Sequence, residues 1–139
     1  MKEVFTEKAP KPIGPYSQGM ISNNMLFTAG QVAIDPATGN VLTGDIKAET
    51  NLVMQHLKSI LEEAGLNFSN VVKCSIFLSD MNDFAQVNEV YGSYFESPYP
   101  VRETVEVKRL PKDVNVEISL IAASITPREF WALDAALMD

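Results

Sequence analysis

The chain has 139 residues, of which 46% are hydrophobic and 21% are charged, a composition typical of one soluble globular domain. No apolar run reaches the roughly 18 residues that a membrane-spanning helix needs, and the first residues contain no apolar signal core. We therefore expect a cytoplasmic protein with no membrane partner. The formal net charge is −7 and the basic residues are scattered singly, which argues against a nucleic-acid partner.

The first half of the sequence predicts a hairpin followed by a helix. Turn-forming residues surround the apolar run LFTAGQVAI, so we expect strands near 17–22 and 25–34. A helix is predicted over 44–65, with Asp45 as its N-cap and Gly65 as the left-handed residue that ends it. The apolar residues that recur at helical spacing are Ile46, Val53, Leu57, Ile60, Leu61 and Ala64.

The second half predicts a strand, a helix and two further strands. A strand over 70–79 is apolar on both faces, a helix covers 81–95, and strands over 101–110 and 114–124 are joined by a tight turn at 111–113. The order ββαβαββ predicts an α+β fold, a mixed sheet with two helices on one face. The other face would be bare in a single copy, so we expect identical subunits to cover it.

The C-terminal residues 126–139 differ from the rest of the chain. They follow the last strand and contain Trp131, the single tryptophan. Two interpretations stay open: a short amphipathic helix capped by Thr126 with Pro127 in its first turn, or a tail derived from an expression vector. The expected domain therefore spans residues 1–125, and we assign no chemistry to the extension.

Several common kinds of site have no support in the sequence. There is no phosphate-binding glycine loop, so no nucleotide cofactor is expected. His56, the single histidine, has no carboxylate or thiolate at metal spacing, and we expect no metal site. We interpret His56 as a surface or groove residue rather than the base of a nucleophilic pair. Cys74, the single cysteine, is interpreted as a small buried hydrophobic residue rather than a reactive thiol, and a lone cysteine fits a reducing compartment.

Arg102 and Glu117 are the first candidates for chemistry. Strand alternation places Arg102 on one face with Thr104, and we expect Glu117 on the same polar side of a neighbouring antiparallel strand. A guanidinium fork matches a carboxylate with two hydrogen bonds, and a glutamate can position or deprotonate a water. The alternative is a cross-strand ion pair with no catalytic role.

Four runs of sequence resemble the RidA family, also called the YjgF family, of small trimeric enamine/imine deaminases. They are IGPYSQ at 13–18, LFTAGQVAIDPATG at 26–39, VVKCSIFLSDMNDFAQVNEVYGSYF at 71–95 and PVRETVEVKRLPKDVNVEISLIA at 100–122. The resemblance implies a chorismate-mutase-like fold, with three subunits around a central barrel and clefts between the subunits. It also implies hydrolysis of 2-imino acids, such as 2-iminobutanoate and 2-iminopropanoate, to 2-keto acids and ammonia without a cofactor.

The resemblance assigns roles to individual residues. Arg102 would bind the substrate carboxylate, Glu117 would hold the attacking water, and Tyr16 would line the cleft. Asn88 would lie near the site, and the backbone amide of Gly30 would approach the carboxylate, which suits a residue without a Cβ. Structural alternatives stay open: Tyr16 could cap the end of the barrel, Asn88 could be a helix-surface residue, and Gly30 could serve strand twist or a bulge.

Two positions depart from the family pattern. Many members read TSGQ where this chain reads TAGQ, so Ala29 lacks a hydroxyl, and many read RSC or RST where this chain reads RET. Glu103 is expected to face away from Arg102, while the backbone carbonyl near Thr104 could still hold the imine nitrogen. The rival function is a non-enzymatic ligand-binding or chaperone-like role, and RNA cleavage is disfavoured by the acidic charge.

Overall fold

A computed structural model describes residues 1–124, and the interpretations of 126–139 lie outside the described residues. Within this range six strands form one sheet and two helices pack on it. The elements are β1 Lys2–Val4, β2 Gly19–Ser22, β3 Met25–Thr28, α1 Ile46–Glu63, β4 Val71–Leu78, α2 Phe84–Gly92, β5 Val101–Glu106 and β6 Val116–Ala123. The prediction of a mixed sheet carrying two helices is confirmed.

The strands lie in the order β1-β2-β3-β6-β4-β5, and only the β4–β5 pair is parallel. The sequence interpretation missed β1, a strand of three residues that extends the hairpin edge. It also made the second hairpin strand too long, because β3 ends at Thr28 and the chain then leaves the regular ladder. The helix predicted over 81–95 is shorter, since a single 3₁₀ turn over Met81–Asp83 precedes α2.

The prediction that the last two strands are antiparallel neighbours is wrong. β4 lies between β5 and β6 and pairs with both of them. The tight turn predicted at 111–113 is present as a 3₁₀ turn, but it joins strands that do not touch. The burial patterns give the reason: β6 is buried at every second residue, as a central strand must be, whereas five of the six residues of β5 are exposed, as on an edge strand.

Both predicted ends of α1 are confirmed. The Asp45 side chain accepts hydrogen bonds from the backbone amides of Lys47 and Ala48. Gly65 has a φ of +77°, its amide donates to the carbonyl of Glu62, and the amide of Leu66 donates to the carbonyl of Leu61. These two bonds form a Schellman motif, which satisfies carbonyls that the last turn of α1 would leave unpaired.

The hydrophobic core lies between the helices and one face of the sheet. The prediction that His56 is a surface or groove residue is wrong: it is 1% exposed, and its Nε2 lies 2.8 Å from the carbonyl oxygen of Ile34. A carbonyl only accepts, so Nε2 carries the proton and donates, and burial lowers the pKa of the ring. The interpretation of Cys74 as a buried hydrophobic residue is confirmed, and burial raises the pKa of its thiol to about 11.

The opposite face of the sheet carries no helix within residues 1–124. Phe27 of β3 and Val105 of β5 are both 42% exposed on this face, and Val101 is 67% exposed. Register places the partly exposed Ile121 beside Phe27. This confirms that one copy leaves an apolar sheet face open. Neither helix in residues 1–124 is long and apolar enough to cross a bilayer.

Candidate active site

A small cavity of about 70 Å³, which we call the Glu117 pocket, brings together three of the six predicted site residues. Tyr16, Gly30 and Glu117 line it, and Lys112 lies on its wall. The pocket is built from the chain after β3, the segment before β2, the 3₁₀ turn that precedes β6, and the start of β6 itself. It contains one half of the candidate site.

Gly30 and Glu117 are brought together by a short return of the chain to the sheet. Beyond Thr28 the chain departs from β3, but Gln31 exchanges two backbone hydrogen bonds with Ile118, of 2.8 and 3.1 Å. This bridge sets Gly30 directly against the neighbouring Glu117. A Cβ at position 30 would lie 2.6 Å from the Glu117 carboxyl carbon and 2.8 Å from its Oε2. Position 30 therefore requires a glycine, because any side chain there would collide with the Glu117 carboxylate. Neither of the two interpretations of Gly30 from the sequence gave this reason.

The carboxyl group of Glu117 is half-buried, and this burial raises its pKa above the ordinary value of a glutamate. A carboxylate with a raised pKa holds a proton more readily and is a stronger base once it is ionised. This environment suits a group that exchanges a proton with a water.

We predict that Glu117→Gln stabilises the folded protein at pH 7. The folded-state pKa of Glu117 is raised, so its stability contribution is present below the unfolded pKa and lost as pH rises through the folded pKa. Glutamine does not titrate, so the variant avoids this loss and its free energy of unfolding at pH 7 should exceed that of the wild type. The difference between the two proteins should shrink as the pH falls toward 4.5, the ordinary pKa of a glutamate. Urea unfolding at pH 7 and pH 4 measures the difference, with the exposed Glu63→Gln as control. A gain of equal size at both pH values would contradict the prediction.

Tyr16 is placed at the pocket by the segment that the motif IGPYSQ encodes. Its side chain is 49% exposed, and its hydroxyl accepts a 3.3 Å hydrogen bond from the backbone amide of Ile13. Gln18, in the same motif, is 2% exposed and was missed by the sequence interpretation. Its Oε1 accepts from the amide of Thr6 at 2.8 Å, and its Nε2 donates to the carbonyl of Pro10 at 2.9 Å. Gln18 thus anchors the chain that forms one wall of the pocket.

Glu49 is a second residue that the sequence interpretation missed. This glutamate on α1 is fully buried, and its two oxygens accept from the backbone amide and the side-chain Nδ2 of Asn115, at 2.8 and 3.0 Å. Asn115 lies two residues before Glu117, so this clamp fixes the start of β6 at the pocket. A signal was available, because Glu49 falls between Ile46 and Val53 on the apolar stripe of the helix.

The other half of the candidate site is the Arg102 edge, formed by Arg102 with Phe84, Asn88 and Tyr91 of α2. Nη1 of Arg102 donates a 2.6 Å hydrogen bond to Oδ1 of Asn88. The guanidinium carbon lies 5.5 and 5.1 Å from the ring centroids of Phe84 and Tyr91, within cation–π range. Among residues 1–124 no carboxylate lies within 4.0 Å of this guanidinium, so a neutral amide orients it and leaves its charge available.

Thr104 lies on the same face of β5 as Arg102, as predicted. Its hydroxyl and that of Tyr91 are both buried without a hydrogen-bond partner in the described part of the chain. The Tyr91 hydroxyl lies beside the Cys74 thiol without hydrogen-bond geometry, and burial raises the pKa of Tyr91 well above its ordinary value. Two unpaired hydroxyls next to an available arginine indicate a polar site rather than a completed core.

Glu103 faces away from Arg102, as predicted. Its Oε1 accepts a 2.8 Å hydrogen bond from the Ser75 hydroxyl and lies 3.4 Å from Nζ of Lys73. The Ser75 hydrogen bond and the Lys73 charge lower the pKa of this exposed carboxyl. The departure from the family pattern at position 103 is therefore accommodated on the open sheet face, away from the Arg102 edge.

The prediction that Arg102 and Glu117 share one side of the sheet is wrong. In register Arg102 lies opposite Cys74, whereas Glu117 lies opposite Phe77, and alternation along β4 sends these two β4 residues to opposite faces. An ion pair between Arg102 and Glu117 within one chain is excluded by the same geometry. The two halves of the candidate site thus lie on opposite faces, two strands apart, because local alternation gives the face within a strand but not the order of strands.

No group of three or more histidine, cysteine, aspartate or glutamate side chains in residues 1–124 is arranged to hold a metal ion. A larger groove at the start of β5 has a volume of about 770 Å³ and contains none of the predicted site residues. Size alone would select this groove, but the perturbed carboxyl and the available guanidinium lie elsewhere, and we place the chemistry with them.

Residues 6–124 match the family model described as Endoribonuclease L-PSP. A RutC family protein of Pyrococcus horikoshii is 57% identical over 123 residues, covering 88% of this chain and 98% of that protein. The 2-iminobutanoate/2-iminopropanoate deaminase of Escherichia coli K12 is 44% identical over 124 residues, covering 87% of this chain and 96% of that protein.

Solved structures give the same result. The YjgF gene product of Escherichia coli is 44% identical with a TM-score of 0.82, covering 88% of this chain and 98% of that one. Escherichia coli TdcF with bound serine is 41% identical with a TM-score of 0.83 and the same coverage. Fold, sequence runs and family model agree, and the chain belongs to the RidA (YjgF) family.

Proposed function

We propose that this protein is a hydrolase that converts 2-imino acids, such as 2-iminobutanoate and 2-iminopropanoate, to 2-keto acids and ammonia. The observation that carries the proposal is the pair of half-sites, one with a carboxyl whose pKa is raised and one with a guanidinium that no carboxylate neutralises. The deaminase name of the Escherichia coli relative supports the reaction class, and the bound serine in TdcF supports a small ligand with a carboxylate.

The active site of this proposal forms between two copies of the chain. Arg102 lies on the edge strand β5 and Glu117 lies on the opposite face of the sheet, so one copy cannot bring both to one substrate. A homotrimer closed around the open apolar face would let the Arg102 edge of one subunit approach the Glu117 pocket of the next. Such a heterologous contact, repeated three times, closes into a ring.

In the proposed reaction the Arg102 guanidinium binds the substrate carboxylate with two parallel hydrogen bonds. The backbone carbonyl near Thr104 accepts from the protonated imine nitrogen, which directs the imine carbon toward the water held by Glu117. The water oxygen adds to that carbon while Glu117 takes a water proton. Glu117 then passes that proton to the nitrogen and the carbon–nitrogen bond breaks. Ammonia leaves, and Glu117 takes the proton of the new hydroxyl as the keto group forms.

Two rival functions are open to test. A binding module would keep Arg102 to capture carboxylates but has no use for a basic carboxyl in a pocket. The family description names endoribonuclease activity, yet the net charge of −7 offers few groups to neutralise phosphates.

The buried single cysteine fits a reducing compartment, and we propose the cytoplasm as the location.

We predict that Glu117→Ala loses turnover by about 10²-fold or more, the range of a general base, while 2-keto-acid binding is retained. An amino-acid oxidase generates 2-iminobutanoate in situ, semicarbazide traps it, and suppression of the semicarbazone signal measures hydrolysis. Calorimetric titration with 2-ketobutanoate measures binding. Full suppression by Glu117→Ala would contradict the proposed role of Glu117, and no suppression by the wild type would favour the binding module.

A further inference from the structure

Three side chains on one face of α2 contact the guanidinium of Arg102. Phe84, Asn88 and Tyr91 follow one another at intervals of four and three residues, so they form a single stripe along the helix. Asn88 accepts the hydrogen bond from Nη1, and the two rings lie 5.5 and 5.1 Å from the guanidinium carbon. The proposed reaction uses Arg102 but assigns no role to the two rings.

The surroundings of Tyr91 show which part of this residue contacts the arginine. The side chain is 5% exposed, and its hydroxyl has no hydrogen-bond partner within residues 1–124. A buried hydroxyl without a partner is unfavourable, so the polar end does not hold the tyrosine in place. The ring packs with its centroid 4.8 Å from that of Phe95, and the guanidinium lies over its face. The aromatic face is therefore the part of Tyr91 that Arg102 uses.

Arg102 depends on this support because it lies on an edge strand. Its side chain is exposed, and within residues 1–124 its single hydrogen bond is the one to Asn88. A free arginine side chain populates many rotamers, and an arginine that binds an anion must give up this freedom. Two ring faces and one amide fix the guanidinium before a ligand arrives, and its other N–H groups keep no partner among the described residues.

We propose that Phe84 and Tyr91 are positioning residues, which hold the guanidinium of Arg102 in the orientation that receives the substrate carboxylate. Tyr91 supplies a buried ring, and Phe84, which is 36% exposed, supplies a ring nearer the surface. Attraction between a cation and a ring face is stronger where water is excluded, so the buried ring adds to the effect of the outer one. This inference rests on the proposed function, because it takes the carboxylate of a 2-imino acid as the ligand of Arg102.

Phe84→Leu tests the proposal at a partly exposed position, since leucine keeps the apolar bulk and removes the ring face. We expect the dissociation constant of 2-ketobutanoate, measured by calorimetric titration, to rise about two- to fivefold, the range of an exposed cation–π contact. KM for 2-iminobutanoate should rise by a similar factor with little change in kcat, because the arginine holds the carboxylate in the ground state as well as in the transition state.

Tyr91 permits a separation of its ring from its hydroxyl. Tyr91→Phe removes only the hydroxyl and should keep the wild-type affinity, whereas Tyr91→Leu removes the ring face and should weaken binding as Phe84→Leu does. Phe5→Leu is the matched control, at a ring that is 41% exposed and does not line the Glu117 pocket, and it should change neither affinity nor KM. Phe84→Leu and Tyr91→Phe decide the question if the core substitution Tyr91→Leu does not fold.

The nuclear magnetic resonance signal of the Arg102 Nε–H group gives a readout that needs neither ligand nor turnover. Protons near an aromatic ring are shifted by its ring current, so this signal should be displaced in the wild type from the position of a solvent-exposed arginine. Phe84→Leu should move it toward that position, while Phe5→Leu should leave it in place. Arg102→Lys identifies the signal, because lysine has no Nε–H group of this kind.

The outcomes separate this inference from the proposed function. Unchanged affinity and an unmoved signal in Phe84→Leu, with a wild type that hydrolyses 2-iminobutanoate, would overturn the inference alone. Either change without the other would also overturn it, because the rings would then not act on the carboxylate through Arg102. Weaker binding by Tyr91→Phe would assign the role to the hydroxyl and contradict the role of the ring. A wild type that neither binds 2-ketobutanoate nor hydrolyses 2-iminobutanoate would refute the proposed function and this inference with it.

Discussion

Replacing Arg102 by alanine is expected to abolish imine hydrolysis, with a loss of at least about 10²-fold in turnover, the typical cost of removing one preorganised charge partner. In the folded chain the guanidinium is held by Asn88 and by two aromatic rings, with no carboxylate of residues 1–124 near it. No carboxylate of residues 1–124 therefore neutralises its charge, which stays available for the substrate carboxylate in the proposed site. The semicarbazone assay measures the loss.

Two control variants separate the role of Arg102 from a general charge effect. Arg102→Lys keeps the charge without the planar fork, and we expect intermediate activity. Lys58→Ala removes an exposed cation from α1 and should leave activity unchanged. Because Arg102 is exposed on an edge strand, Arg102→Ala should unfold at nearly the wild-type temperature. Near-normal hydrolysis by a folded Arg102→Ala variant would refute the proposed site.

Local patterns in the sequence predicted the elements well and their arrangement less well. Asp45 and Gly65 were identifiable because a cap depends on only the neighbouring amides and carbonyls. The position of β6 between β3 and β4 could not be identified in this way, because strand order depends on which faces the whole chain can bury. The sequence therefore placed Arg102 and Glu117 on neighbouring strands, and the structure separates them.

Individual site residues show the same division between local and distant causes. Alternation correctly turned Glu103 away from Arg102, because it requires only the period of one strand. The reason for Gly30 was not visible, since the Glu117 carboxyl that would collide with a Cβ is distant in sequence. His56 was misplaced for a related reason: its partner, the Ile34 carbonyl, lies in an irregular segment that no periodicity describes.

Mixing two inactive variants should restore activity if the site forms between copies. Arg102→Ala subunits keep an intact Glu117, and Glu117→Ala subunits keep an intact Arg102. In a random mixed ring about a quarter of the interfaces combine the two intact residues. We therefore expect imine hydrolysis to reappear after the two variants are unfolded and refolded together, although each remains inactive when refolded alone.

The matched control is a mixture of Arg102→Ala with the double variant Arg102→Ala/Glu117→Ala. No chain in this mixture carries Arg102, and the mixture should stay inactive. Recovery confined to the complementary mixture requires that the two residues act across an interface, because no single chain in that mixture carries both. It would also explain why Arg102 and Glu117 lie on opposite faces of one sheet. If the complementary mixture stays inactive while sedimentation shows mixed oligomers, the site does not join these two residues between copies.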